Sequence, residues 1–203
     1  MSGTKAEALE RVAPILRSAR VLPQQRFTVA AWHRDPGARI EQLQGWLSTP
    51  LIVRSSALDE DQAHGSQAGR YSSVGGCLGE PQVRAAIDAV ASELGPADQI
   101  FVQPYLDGVR LAGVAVTRDP SNGSHYTIVS YDDRSGRTDG ITSGQARSPQ
   151  TYYRHRSASA PPPTELAGVL ALTAELRRLL DHDSLDIEFA VTADGELILL
   201  QVR

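Results

Sequence analysis

The sequence predicts an α+β fold from three observations. Segments with helical spacing of apolar residues are interspersed with alternating segments, and the strand–helix–strand rhythm of a parallel sheet is missing. The chain ends in two β-rich runs, LDIEFAV (185–191) and ELILLQV (196–202), joined across Asp194-Gly195, a dipeptide that favours tight hairpins. A second such pair, Asp107-Gly108, separates two more β-rich runs and predicts another hairpin.

The elements follow in order. Thr4 and Glu7 have the spacing of a capping box, so a helix starts there. Leu9, Val12 and Leu16 continue it at helical spacing, and Pro14 kinks or ends it. RFTVAAW (26–32) alternates Phe27, Val29 and Ala31 and reads as a strand. After the turn Asp35-Pro36-Gly37, Ile40, Leu43 and Leu47 mark a short helix, closed by Pro50, and LIV (51–53) is a short buried strand. Residues 54–79 hold two Ser pairs and five glycines without strong periodicity, the composition of a long functional loop. Pro81 opens a helix through Val83, Ala86, Ile87, Val90 and Leu94, and Gly95 ends it. Residues 99–105, 111–117 and 125–131 are strands. Residues 132–163 are polar and turn-rich up to Pro161-Pro162-Pro163, and a long helix with Leu166, Val169, Leu170, Leu176 and Leu180 on one side precedes the terminal hairpin.

A length of 203 residues fits one large domain or two small lobes. With 41% hydrophobic and 22% charged residues, the composition excludes a disordered tail or a fibrous repeat. Cys77 is the only cysteine, which excludes an internal disulfide and a four-cysteine zinc site. The balance of 20 basic against 24 acidic side chains speaks against a nucleic-acid partner. No apolar run approaches the ~20 residues that span a bilayer, so no membrane partner is expected. MSGTKAEALE lacks the apolar stretch of a signal peptide, and a cytoplasmic location is the expectation.

Two clusters carry chemistry. In the first, Arg54-Ser55-Ser56 leaves a strand into a loop with Glu60-Asp61 and Ser66-Gln67-Ala68-Gly69. An arginine fork beside small residues whose amides approach closely suits a phosphate; a polar surface loop with an Arg–acid pair is the alternative. In the second, Asp186 and Glu188 share one face of a strand, and Gln201 and Arg203 share a face of the next. If the hairpin pairs around Asp194-Gly195, two carboxylates, an amide oxygen and a guanidinium converge. Such oxygen donors suit Mg²⁺ held together with substrate phosphates; the alternative is a solvated sheet face.

Together the two clusters resemble the nucleotide-binding domain of the pyruvate phosphate dikinase and phosphoenolpyruvate synthase family. LIVRSSALDEDQAHGSQAGRYSSV (51–74) is similar to its V-R-S-S-A-x-x-E-D … S-x-A-G loop. Gly3-Thr4-Lys5-Ala6-Glu7-Ala8-Leu9 resembles the opening G-G-K-x-x-x-L, and Val102-Gln103 the V-V-Q hinge strand. Gly113–Pro120 resembles S-G-V-x-F-T-R-D-P, with Ala112 in place of the Ser. Asp186-Ile187-Glu188-Phe189-Ala190 and Leu200-Gln201-Val202-Arg203 resemble D-I-E-W-A and L-Q-x-R. The family's G-L-G-E-x-V-V-x-G stands here as residues 136–144, with Asp139 in place of Glu. The compact form of the chain and the string YDDRSGRTDGITSG are closer to capsule-pathway kinases that phosphorylate the glutamine amide.

The resemblance implies an ATP-grasp fold of two lobes, expected over residues 1–104 and 105–203, with ATP in the cleft between them. It implies that Lys5 and Arg54 hold phosphate oxygens and act catalytically with Arg203, which stabilises charge on the moving phosphoryl group. Ser55, Ser66, Gly69, Gln103, Arg118 and Asp139 complete the implied nucleotide site. Glu188 and Gln201 would hold Mg²⁺, with Asp186 supporting. The family passes its phosphoryl group to a histidine on a separate swivelling domain and then to a small acceptor. The chain is therefore expected to be the ATP-binding part of a longer enzyme, or a free-standing subunit. The alternatives are a non-catalytic nucleotide-binding regulatory module, and a carbohydrate- or peptide-binding domain. Of the five histidines, His33, His125, His155 and His182 read as surface or capping residues, while His64 lies inside the phosphate-loop candidate. Arg154-His155-Arg156 is a small basic patch, Cys77 a small buried hydrophobe, and Trp32 and Trp46 core anchors.

Overall fold

A computed structural model describes residues 3–58, 73–134, 136, 138 and 149–203. The chain runs α1 (Lys5–Val12), β1 (Arg20–Val21), β2 (Gln25–Thr28), α2 (Val29–Arg34), α3 (Pro36–Glu41), a 3-10 turn (Gln44–Trp46), β3 (Leu51–Ser56), β4 (Ser73–Cys77) and α4 (Gly79–Ala91). It continues through β5 (Gln99–Pro104), β6 (Val109–Val116), β7 (Tyr126–Asp132), β8 (Gln150–His155), α5 (Thr164–Leu180), β9 (Asp186–Thr192) and β10 (Leu197–Val202). Two compact units result: one of Leu22–Leu106 with the residues up to Glu7, the other of Ala8–Val21 with Asp107–Arg203. Among the described residues no helix is long and apolar enough to cross a membrane.

The unit around Leu22–Leu106 is built on an antiparallel sheet of order β2-β5-β3-β4. Phe27, Leu51, Val53, Ile100 and Val102 form one face and share a core cluster with Trp32, Ile40, Val83, Ile87 and Val90 of the helices. Burial of these apolar surfaces is the main stabilising force. Trp32 is the anchor: its ring stacks on Phe27 at 6.0 Å, lies 5.6 Å from the Arg84 guanidinium and donates Nε1–H to Asp88 Oδ1 at 2.7 Å. Burial pushes the Cys77 thiol pKa upward. The alternation in 26–32 misled: the strand stops at Thr28, whose Oγ1 accepts the Ala31 N–H at 3.1 Å and caps α2. At the chain start the capping box is present, with Thr4 N–H donating to Glu7 Oε2 at 3.0 Å and Glu7 N–H to Thr4 Oγ1 at 3.4 Å.

The second unit holds a six-stranded sheet of order β1-β10-β9-β6-β7-β8, antiparallel except where β1 joins β10. Ile187 and Phe189 are fully buried on the face covered by α5, whose Leu166, Val169, Leu172 and Leu176 are buried as well. At Gly168 α5 lies against β10: a Cβ there would make an ordinary van der Waals contact of 3.7 Å with Leu197 Cδ2. The terminal hairpin forms as expected, with one register shift between Leu199 and Gln201, but the hairpin expected at Asp107-Gly108 is absent. Strands β5 and β6 belong to different sheets, and Gly108, with φ +64°, turns the chain from one to the other. β8 lies within the stretch read as turns; its QTYYRH sequence is an exposed edge strand and so carries no apolar alternation to read.

Candidate active site

The hairpin β9–β10 assembles the carboxylate cluster through a register shift. From the turn, Leu197 pairs with Val191, Ile198 with Ala190 and Leu199 with Phe189. Leu200 is then bulged out, and pairing resumes with Gln201 opposite Glu188 and Val202 opposite Ile187. Unbroken pairing would have set Gln201 opposite Ile187, on the α5 face. The one-residue bulge therefore brings the amide onto the carboxylate face. Arg203 and Asp186 close the strand end with reciprocal backbone bonds of 2.8 and 2.9 Å, and Arg203 Nη2 donates to Asp186 Oδ2 at 2.8 Å. Asp186, Glu188, Gln201 and Arg203 thus share one face.

The chemistry of this set fits a divalent cation. Asp186 Oδ1 is buried and has no hydrogen-bond partner among the described residues, while its Oδ2 is held by Arg203. A buried carboxylate oxygen without a donor is costly unless something else satisfies it. Glu188 adds a second carboxylate and Gln201, only 5% exposed, a neutral amide oxygen. Hard oxygen donors of low total charge are what Mg²⁺ accepts beside phosphate. Among the described residues no group of three His, Cys, Asp or Glu side chains is placed to hold a metal ion, and this face offers two carboxylates and one amide.

The other unit carries the phosphate-type candidates. Lys5 opens α1, and the start of that helix is tied to the sheet. Thr4 Oγ1–H donates to Gln99 Oε1 at 2.8 Å, Ala6 N–H to Ser56 Oγ at 3.0 Å, and Gln99 Nε2–H to Glu7 Oε1 at 2.9 Å. Arg26 Nη1 adds an ion pair to Glu7 at 3.1 Å. On β3, Arg54 stands in register with Ser73 and Phe101, its Cζ 5.8 Å from the Phe101 ring centre. Gln103 lies on the same face, buried, with Nε2 donating to the Leu22 carbonyl at 3.3 Å. Lys5, Arg54 and Gln103 are thus carried by one unit with defined neighbours.

Two sequence candidates stand apart. Ser55 takes the opposite face of β3, in the row of Phe27 and Ile100, because alternate residues of a strand point to opposite sides. Ser56, the third residue of that cluster, is the serine on the Arg54 face, and its Oγ accepts the Ala6 N–H at 3.0 Å and so positions α1. Arg118 follows β6 at a bend and is engaged by Asp183 Oδ2 at 2.8 Å and the Gly123 carbonyl at 2.9 Å, not by the carboxylate face. Ser66, Gly69 and Asp139, like His64, lie outside the described residues. One residue escaped the sequence reading: Asp132, buried and opposite Ala112, stands on the same sheet face as Glu188, with Oδ1 accepting the Arg134 N–H at 2.8 Å. Its place as the last residue of β7 was the signal that could have found it.

Asp183 gathers Arg118, Arg156 and Arg177. The hydrogen bond from Arg118 comes first in holding its carboxyl below the usual range, with the Arg156 charge adding to it. A lowered folded-state pKa contributes stability above the unfolded value of ~3.9, and that contribution fades as pH falls through the folded value. The stability difference between parent and Asp183→Asn is therefore expected to be largest near neutral pH and to shrink in acid. Acid-dependent urea denaturation checks this, and a difference unchanged by acidification would disprove it.

No protein-family model matches the chain, and no curated protein matches its sequence. Among solved structures it is similar to the VanG D-Ala:D-Ser ligase of Enterococcus faecalis, with TM-score 0.53 and 13% identity over 98% of this chain and 51% of that one. It is similar to the D-alanine–D-alanine ligase of Bacillus anthracis, with TM-score 0.53 and 14% identity over 98% of this chain and 54% of the ligase. An ADP complex of N5-carboxyaminoimidazole ribonucleotide synthetase matches with TM-score 0.52 and 16% identity over 98% of this chain and 42% of that one. The chain spans about half the length of these enzymes. The fold is ATP-grasp, mixed α and β as the sequence predicted.

Proposed function

We propose that the chain is the ATP-binding part of a phosphotransferase. It would use Mg-ATP to phosphorylate a histidine on a separate domain, for onward transfer to a small acceptor such as the glutamine amide or a pyruvate-like compound. The observation that carries this reading is the β9–β10 face, where a bulge sets Gln201 beside Glu188 and Asp186 keeps one buried oxygen without a partner. The family resemblance supplies the finer part of the proposal, since a fold alone does not fix a reaction.

In this reading Glu188, Gln201 and Asp186 Oδ1 hold Mg²⁺, which when bound neutralises charge on the nucleotide phosphates. Lys5 and Arg54 hold phosphate oxygens. Arg203 is oriented by Asp186 and donates to the moving phosphoryl group. Such transfer depends on positioning and electrostatic stabilisation rather than on covalent participation of these side chains. Gln99, Glu7 and Ser56 are positioning residues for the helix that starts at Lys5.

Binding should be measurable by stability. Mg-ATP at 100 times its dissociation constant is expected to stabilise the chain by ~2.7 kcal/mol. A melting scan with and without Mg-ATP checks it, and no shift at millimolar nucleotide would remove the proposal. Two variants should then fail in different ways. Glu188→Gln is expected to lower the dependence of ATP binding on Mg²⁺, because a neutral amide is a poorer ligand. Arg54→Ala is expected to weaken nucleotide binding with or without metal, because a phosphate fork is gone. Calorimetric titration of each, with Mg²⁺ and with EDTA, separates the two roles; parent-like titration by both would show that the assignment is wrong.

A further inference from the structure

The basic tripeptide Arg154-His155-Arg156 gains a setting in the fold that the nucleotide site does not use. Arg156 follows the edge strand β8 and its backbone N–H donates to the His125 carbonyl at 2.9 Å. Its Nη2 reaches Asp183 Oδ1 at 2.5 Å, and Arg177 from α5 and Arg118 from the β6–β7 bend converge on the same carboxylate. Three guanidiniums around one carboxylate leave a local excess of two positive charges, on a chain whose net charge is −4.

The donors on offer exceed what Asp183 takes. A guanidinium carries five N–H groups. The Arg156 side chain meets only Asp183 among the described residues, through Nη2, so its Nε and Nη1 have no acceptor there. His125 approaches Arg118 through Nε2 at 3.2 Å. His155 is held through Nδ1 by Ser157 Oγ at 2.7 Å, and its ring meets Tyr126 edge-on at 5.0 Å, which leaves Nε2 without a partner among the described residues. These groups surround real space. His125, His155, Arg156 and Ser157 line a shallow, open surface groove of about 270 Å³. A second, of about 150 Å³, shares His125, His155 and Arg156 and extends to Thr127, Thr173 and Arg177 under α5.

We infer that this cluster is a second anion site, taking the dianionic phosphate group of a small molecule, with Arg156 and His155 as its contacts and Asp183 as the group that aligns the arginines. Planar forks and outward imidazole nitrogens match phosphate oxygens. The smaller groove is lined by Leu170, Thr173 and Arg177 of α5 and by none of Asp186, Glu188, Gln201 and Arg203, so this site is separate from the metal-type site. The inference does not depend on the phosphotransferase reading.

The test is calorimetric or NMR titration of the chain with inorganic phosphate and with glycerol 3-phosphate, at constant ionic strength set with chloride. Millimolar or tighter binding is expected for at least one of them, and preference for the ester identifies a phosphorylated metabolite rather than free phosphate as the occupant. Arg156→Ala is expected to weaken binding about tenfold or more, equivalent to ~1.4 kcal/mol. Arg156→Lys keeps the charge but loses the fork and should recover only part of it. Glu188→Gln should bind phosphate as the parent does. Absence of saturable binding, binding that survives Arg156→Ala, or binding lost in Glu188→Gln would each overturn the inference. Failure of Mg-ATP to bind would leave it standing.

Discussion

Gly113→Ala is expected to unfold the six-stranded unit or bring it close to unfolding. Gly113 sits in β6 between β7 and β9, paired with Tyr131 and Phe189. A Cβ there would lie 2.2 Å from the Ser130 carbonyl oxygen and 2.8 Å from Tyr131 Cα. Both are backbone atoms of a paired strand, so no rotamer change relieves the clash. Overpacking costs ~1–3 kcal/mol where side chains can yield, and here the cost should reach or exceed the upper figure. Against a total stability of ~5–15 kcal/mol, that is a large fraction. Gly45→Ala is the control: nothing lies within 4 Å of its Cβ position, and no loss is expected. Urea midpoints decide it, and a Gly113→Ala midpoint equal to the parent's would show that the strands separate easily at this point.

The second large effect is kinetic. With Mg-ATP alone the chain is expected to turn over very slowly, because the proposed relay requires a histidine in a G-G-x-x-x-H setting and none of the five histidines has one. Held reactants gain effective molarities of ~10⁵–10⁸ M, and without the relay histidine water is the only acceptor. Adding a separately made histidine domain should give label on that histidine from ATP labelled at the β or γ phosphorus. Arg203→Ala should slow this labelling by ~10³-fold or more, the scale of a transition-state arginine. Rapid phosphorylation of glutamine or pyruvate by the chain alone would replace the relay with a direct kinase. Nucleotide binding with no labelled product under any condition would favour the regulatory module, a reading to which Asp139 in place of Glu lends weight.

Local signals were legible where they act within a few residues. The Thr4–Glu7 capping box and the Asp194-Gly195 hairpin are encoded by short-range spacing and are present in the structure, and of the α5 stripe Leu166, Val169 and Leu176 are buried, with Leu172 rather than Leu170 or Leu180 beside them. Signals that depend on distant partners were not. Asp107-Gly108 has the chemistry of a hairpin turn, yet the strands it joins find partners in different sheets. Thr28 looks like a strand residue until its hydroxyl is seen capping the next helix. The convergence of Gln201 with Glu188 was expected from alternation, but alternation alone would have separated them, and a bulge that no local residue announces restores it. Arg118 matched a motif, and only the tertiary structure reveals that it serves Asp183.

That bulge turns residue number into a design variable. Leu197-Ile198-Leu199-Leu200 is aliphatic throughout, so it offers the sheet little to tell one phase from the next. What sets the phase is the count of residues from the turn to Gln201, together with the Arg203–Asp186 contact at the far end. Deleting Leu200 would let the ladder run unbroken and still leave Gln201 opposite Glu188. Homologous chains of this hairpin could therefore differ by one residue here, five or four positions after the turn, and hold the same ligands. Alignments that forbid a gap inside a strand would pair the wrong residues at the very site that matters.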